Sequence, residues 1–117
     1  MSTDVVALTN DRPDVGAVLD GLGARLRLPL AVTTAGGACR VYDDSGRLVV
    51  FVPDPVLVTV PGEVERLLGD GVGAAAPVWW VDIRAAADLE NAERVARSCA
   101  EELVARHGGA VWSGAFR

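Results

Sequence analysis

Two adjacent tryptophans in an extended segment constrain the fold of this chain more than any other feature. The stretch Pro77-Val78-Trp79-Trp80-Val81-Asp82-Ile83-Arg84 reads as a β-strand, and successive strand residues point to opposite faces of a sheet. Trp79 and Trp80 therefore cannot enter the same hydrophobic layer. The helical pattern that follows covers only one face. Trp80, with Asp82 and Arg84 on its side, needs a different neighbour. The third tryptophan, Trp112, falls in a short strand-like tail beyond that helix.

Both ends of the chain repeat this strand–helix–strand logic. Val5 to Thr9 predicts a first strand. Asp11-Arg12-Pro13-Asp14 predicts a helix start, with Asp11 capping the free amides, Pro13 in the first turn and Asp14 at the positive end of the dipole. Val15, Val18, Leu19, Leu22 and Leu26 then recur at helical spacing until Pro29. Gly16, Gly21 and Gly23 each weaken such a helix by up to ~1 kcal/mol relative to alanine, so packing must hold it.

In the middle, Leu30–Thr34, Cys39–Tyr42 and Leu48–Val52 predict strands, with Gly36-Gly37 as a bend and Asp43-Asp44-Ser45-Gly46 as a hairpin turn. Val56–Val60 predicts a strand at a sheet edge, because Pro53 and Pro55 cannot donate to a ladder. Pro61–Leu68 predicts a short helix stopped by Gly69, and Gly71–Pro77 a small-residue loop. Asp88 is placed to cap the last helix, whose buried stripe is Leu89, Ala92, Val95, Ala96, Cys99, Ala100, Leu103 and Val104. Its outer face carries Glu90/Arg94, Glu93/Arg97 and Glu102/Arg106, all in the favourable Glu-before-Arg order. Gly108-Gly109 closes it, and Ala110–Trp112 predicts the final strand.

This order gives a single α+β domain over residues 1–117, with a mostly antiparallel sheet of five to six strands and two main helices on one face. Ferredoxin-like and secretion-chaperone-like arrangements both accommodate it. No apolar run approaches the ~20 residues of a membrane helix, and the start at Met1 lacks the basic and apolar regions of a signal peptide. The expectation is a cytoplasmic protein without membrane association. Net charge is −5, and the basic residues are scattered arginines with no lysine. Nucleic-acid binding, which needs clustered cations to neutralise phosphate, is not expected.

The residues also argue against an enzyme. His107 is the only histidine and sits at a helix end, where the dipole and free carbonyls favour it. Cys39 and Cys99 lack metal-ligand spacing and read as two small core residues. Asp43-Asp44-Ser45-Gly46 lacks the glutamate that closes a calcium loop. No cofactor, metal or catalytic residue is expected. For Trp80 three arrangements stay open: a solvent face, a cover supplied by the short helix, or an assembly surface. Burying one tryptophan's ~200 Å² contributes up to about 5 kcal/mol. Tryptophan and arginine are enriched at interface hot spots, so Trp80, Asp82, Arg84 and Trp112 form the candidate interface.

Several segments together resemble the N-terminal region of an uncharacterised actinobacterial family encoded beside type VII secretion genes. They are Val6-Ala7-Leu8-Thr9 with Pro13-Asp14, then Val60–Leu68, Pro77-Val78-Trp79-Trp80 with Ile83-Arg84-Ala85, and Gly108–Trp112. The resemblance implies a secretion-system accessory and carries no catalytic residues; family members continue into a further region, whereas this sequence stops at Arg117. The functional expectation is a non-enzymatic protein-interaction module that self-associates or binds a protein partner. The alternative is a small-ligand or regulatory domain with its pocket between the sheet and the long helix.

Overall fold

The structure, a computed structural model, describes residues 3–69 and 71–114. The start at Met1 and Ser2 and the end at Arg117 lie outside the described residues. In chain order the elements are β1 (Thr3–Thr9), α1 (Val15–Leu26), β2 (Ala31–Ala35), β3 (Ala38–Tyr42), β4 (Leu48–Val52), β5 (Val56–Val58), α2 (Glu63–Leu68), β6 (Val78–Ala85), α3 (Ala92–His107) and β7 (Gly109–Gly114). All strands join one antiparallel sheet in the order β2-β3-β4-β6-β1-β7, with β5 also on β6. The fold is α+β.

The sheet has seven strands where five to six were expected, because every segment predicted as a strand joins it, β4 and β5 as two parts of one interrupted ribbon. β4 pairs with β6 at Ala85 and Arg84, and β5 pairs with the same strand at Trp80, Trp79 and Val78. Pro53 and Pro55, which lack amide donors, lie between the two pairings. β6 and β7 flank β1 on either side and are joined by α3. This is the split β-α-β unit of a ferredoxin-like sheet. Central β1 carries the uninterrupted apolar run Val5-Val6-Ala7-Leu8, every residue fully buried, as a strand covered on both faces requires.

Helices α1 and α3 lie together on one face. Their stripes (Val15, Val18, Leu19 and Leu22; Ala92, Val95, Ala96, Cys99, Ala100 and Leu103) meet Val5, Ala7, Val81, Ile83 and Cys39 in the main core. A second, smaller core forms on the opposite face, where Val64 of α2 packs on Val6, Leu8 and Val78.

Helix termini depart from the sequence reading in three places. Asp14 is the N-cap of α1, its carboxylate accepting from the Ala17 amide at 3.1 Å. The proline effect explains the shift: Pro13 disfavours helical geometry at Arg12, so the helix begins beyond it, and Asp11 is freed for another role. At the other end α1 stops before Pro29 acts, because Arg27 adopts left-handed geometry and the Leu28 amide donates back to the Gly23 carbonyl at 2.9 Å. A Cβ on Gly23 would stand 3.0 Å from the Leu28 carbonyl oxygen.

Helix α3 begins at Ala92 with Asn91 as N-cap, leaving Asp88 and Leu89 in the preceding turn. Leu89 still packs against the main core, from outside the helix. Glu90 thereby loses helical spacing to Arg94, whose guanidinium donates instead to the Leu26 carbonyl. The Glu93–Arg97 and Glu102–Arg106 pairs form as expected. At its end α3 turns through Gly108 and Gly109, and Gly109 faces Thr9 of β1. A Cβ there would fall 1.7 Å from the Leu8 carbonyl oxygen, so only glycine admits β7 against β1.

Candidate functional site

The second face of the sheet is only partly roofed, and the boundary runs through Trp80. Antiparallel register sets three rows across that face. Val56, Trp80, Leu8 and Ala110 form the first; Asp82, Val6 and Trp112 the second; Arg40, Phe51, Arg84 and Asp4 the third. Val64, Leu68, Val72 and Ala74 pack over Val6, Leu8 and Val78, with Trp80 and Trp112 against this small core. Both indoles remain half-buried. Among the described residues, that small core does not extend over Arg40, Phe51 and Arg84 of the third row or over the neighbouring Tyr42 and Leu48.

Trp80 is thus neither a lone exposed ring nor a sealed one. Its indole Nε1–H donates to Asp82 Oδ1 at 3.1 Å, which holds the ring along the strand. Asp82 shares a face with both Trp80 and Arg84, since each is two residues away on the strand; it bonds to Trp80 and forms no ion pair with Arg84 among the described residues. Arg84 is exposed and lies directly across from Asp4. Burial pushes the Asp4 carboxyl above its ordinary range, Arg84 opposes the rise and Asp82 adds to it. Asp4 Oδ1 is buried without a hydrogen-bond partner among the described residues.

The open half mixes apolar and charged groups. The Arg40 guanidinium stacks over Phe51, 4.8 Å from the ring centroid. Leu48 is 43% exposed and Val56 60% exposed, both large for apolar side chains on a sheet face. The sequence singled out Trp80, Asp82, Arg84 and Trp112 on this face; it did not single out Arg40, Tyr42, Leu48 and Phe51, which the strand pairing places beside them. Their alternation in the β3–β4 hairpin was visible; which face the hairpin would share with Trp80 was not, since that depends on the β4–β6 pairing.

Three other groups settle into structural roles. His107 closes the helical layer: Nδ1 meets Asp11 Oδ1 at 2.5 Å, and Nε2 accepts the Asp14 amide at 3.1 Å. The acceptor role of Nε2 places the proton on Nδ1, which donates to Asp11. His107 therefore ties the end of α3 to the start of α1, and not to its own helix carbonyls as the sequence implied. Cys39 and Cys99 are free and buried, and burial, with Cys39 nearby, pushes the Cys99 thiol up to about 12. Asp43 accepts the Ser45 and Arg47 amides and the Arg47 guanidinium, as in a self-contained turn. No cluster of three or more potential metal ligands occurs among the described residues. No helix among them is long and apolar enough to cross a membrane.

The interface between the sheet and α3, where the ligand-binding alternative puts its pocket, is filled along the helix by fully buried Ala92, Val95, Ala96, Cys99, Ala100 and Leu103, with a cleft of about 180 Å³ at its start, lined by Val49, Leu89 and Ala92. A cleft of about 370 Å³ lies beside Trp79, between the start of α1 and the β2–β3 hairpin. No protein-family model, curated protein or solved structure matches the chain.

Proposed function

We propose that this chain is a non-enzymatic protein-interaction module that self-associates through the open half of its second sheet face. The observation that supports this reading most is the unequal cover of the sheet. Two long helices roof most of one face, while a helix of six residues roofs part of the other. The unroofed part carries Trp80, Phe51, Tyr42 and Leu48 beside Arg40 and Arg84, the aromatic and arginine mixture typical of binding hot spots.

Charge favours a second copy as the partner. The face holds cations (Arg40, Arg84) and anions (Asp4, Asp82) together, and a two-fold contact sets each patch against its own copy. Opposite charges on one patch make such a contact complementary; a patch of one sign would repel itself. A role beside a secretion system follows from the sequence resemblance, and an adapter that pairs through a sheet face suits that role.

Light scattering across a concentration series tests the proposal. The wild type is expected to rise from monomer towards dimer mass, and Trp80→Ala to stay monomeric with its fold intact by circular dichroism. A wild type that remains monomeric at millimolar concentration would remove the homomeric reading.

A further inference from the structure

We propose that the cleft beside Trp79 is a binding site for a small zwitterion of the α-amino-acid class. Four segments distant in sequence converge there: the approach to α1, the β2–β3 hairpin, the β4–β5 connection and β6. Its volume of about 370 Å³ falls at the lower end of the range for small-molecule sites, ~300–1,000 Å³.

The polar groups lining the cleft carry both signs of charge, and those charges are not spent on each other. Arg12 stacks over Trp79, 5.7 Å from the ring centroid. Asp54 presses against the backbone of Gly37, so closely that a Cβ on that glycine would stand 2.4 Å from its Oδ1. Both side chains line the cleft, yet neither has an ion-pair partner among the described residues. A gap between unmatched opposite charges fits a molecule carrying both. Its carboxylate would meet the guanidinium of Arg12 and its ammonium the carboxylate of Asp54. A ligand with only an anion would face repulsion from Asp54, and one with only a cation repulsion from Arg12.

The remaining lining suits a short side chain. Trp79 offers an indole surface, and the Thr34 hydroxyl and Cys39 thiol, 3.6 Å apart, close the inner wall. Gly16 keeps the space open: a Cβ there would sit 3.9 Å from the Thr34 hydroxyl, and a longer side chain would enter the cleft. The site lies on the helix-covered face, away from the surface assigned to self-association, so the two readings stand or fall separately.

Titration of the intact chain with individual L-amino acids, followed by heteronuclear NMR and calorimetry, tests the site. Glycine, leucine and phenylalanine are the first probes, then the remaining proteinogenic amino acids. At least one is expected to shift the Trp79 indole and Cys39 amide resonances, with an affinity between micromolar and low millimolar as befits about ten heavy atoms. Its N-acetyl derivative, lacking the ammonium, and its methyl ester, lacking the carboxylate, are each expected to bind at least about tenfold more weakly. Arg12→Gln and Asp54→Asn, both at exposed positions, are expected to produce a similar loss while leaving circular dichroism unchanged, and Gly16→Leu to block binding. No shift with any amino acid at about 10 mM, above the weak end of the expected range, would overturn the proposal. So would full affinity for the N-acetyl derivative, or shifts mapping away from Trp79.

Discussion

Replacing Val64 by alanine tests how the second layer is held. Val64 is the one buried side chain of α2 and is 1% exposed. Two methyl groups are lost, about 1.6 kcal/mol at ~0.8 kcal/mol per buried carbon. The residual cavity adds something below ~1 kcal/mol at ~24 cal/mol per Å³. The total is about 2 kcal/mol, which lowers the melting temperature by roughly 10 °C for a domain near this size. A six-residue helix has no independent stability in water. The loss should therefore be local. Amide exchange is the assay: the Arg66 and Gly69 amides, bonded to Gly62 and Glu65, should exchange faster, while β1 and α3 keep their protection against local opening. Acrylamide should also quench tryptophan emission more strongly, because Trp80 and Trp112 lose part of their roof. A melting change below about 2 °C, or loss of protection spread through α3, would refute the idea of a separately docked layer.

Two further outcomes follow from the buried ionisable groups. Asp4→Asn removes a carboxylate that burial holds above its ordinary pKa, so the variant should melt higher than the wild type at pH 7; the sign follows because a raised acid favours its neutral form in the fold, and an amide is neutral at every pH. A lower melting point would contradict this. The Cys99 thiol, pushed up to about 12, should resist alkylation at pH 8 in the folded chain and react on unfolding. Its contribution is complete below about 9, its ordinary value, and is lost as pH rises towards 12, up to about 4 kcal/mol. Rapid native labelling of Cys99 would refute its placement.

Much of the fold was legible because periodicity reports faces directly. The stripes of α1 and α3, the hairpin turn at Asp43–Gly46 and the glycine exit at Gly108-Gly109 all follow from local chemistry. What escaped depends on distant partners. Asp11 reads as a cap until His107 arrives from the far end of the chain to claim it. Asp88 reads as a cap until Leu89 is seen packed from a turn. At the candidate surface the opposition of Trp79 and Trp80 was fixed by strand alternation alone. That α2 would cover only part of Trp80, and that Phe51 and Arg40 would join its open side, required the β4–β6 and β5–β6 pairings. No local pattern encodes those.

Amide hydrogen exchange of the wild type, compared between dilute and concentrated solution, tests the assembly surface most directly. The account predicts added protection at residues 40–42, 48–51 and 80–84 on concentration, with α1 and α3 unchanged. Protection that is independent of concentration, or that gathers on the two long helices, would contradict it.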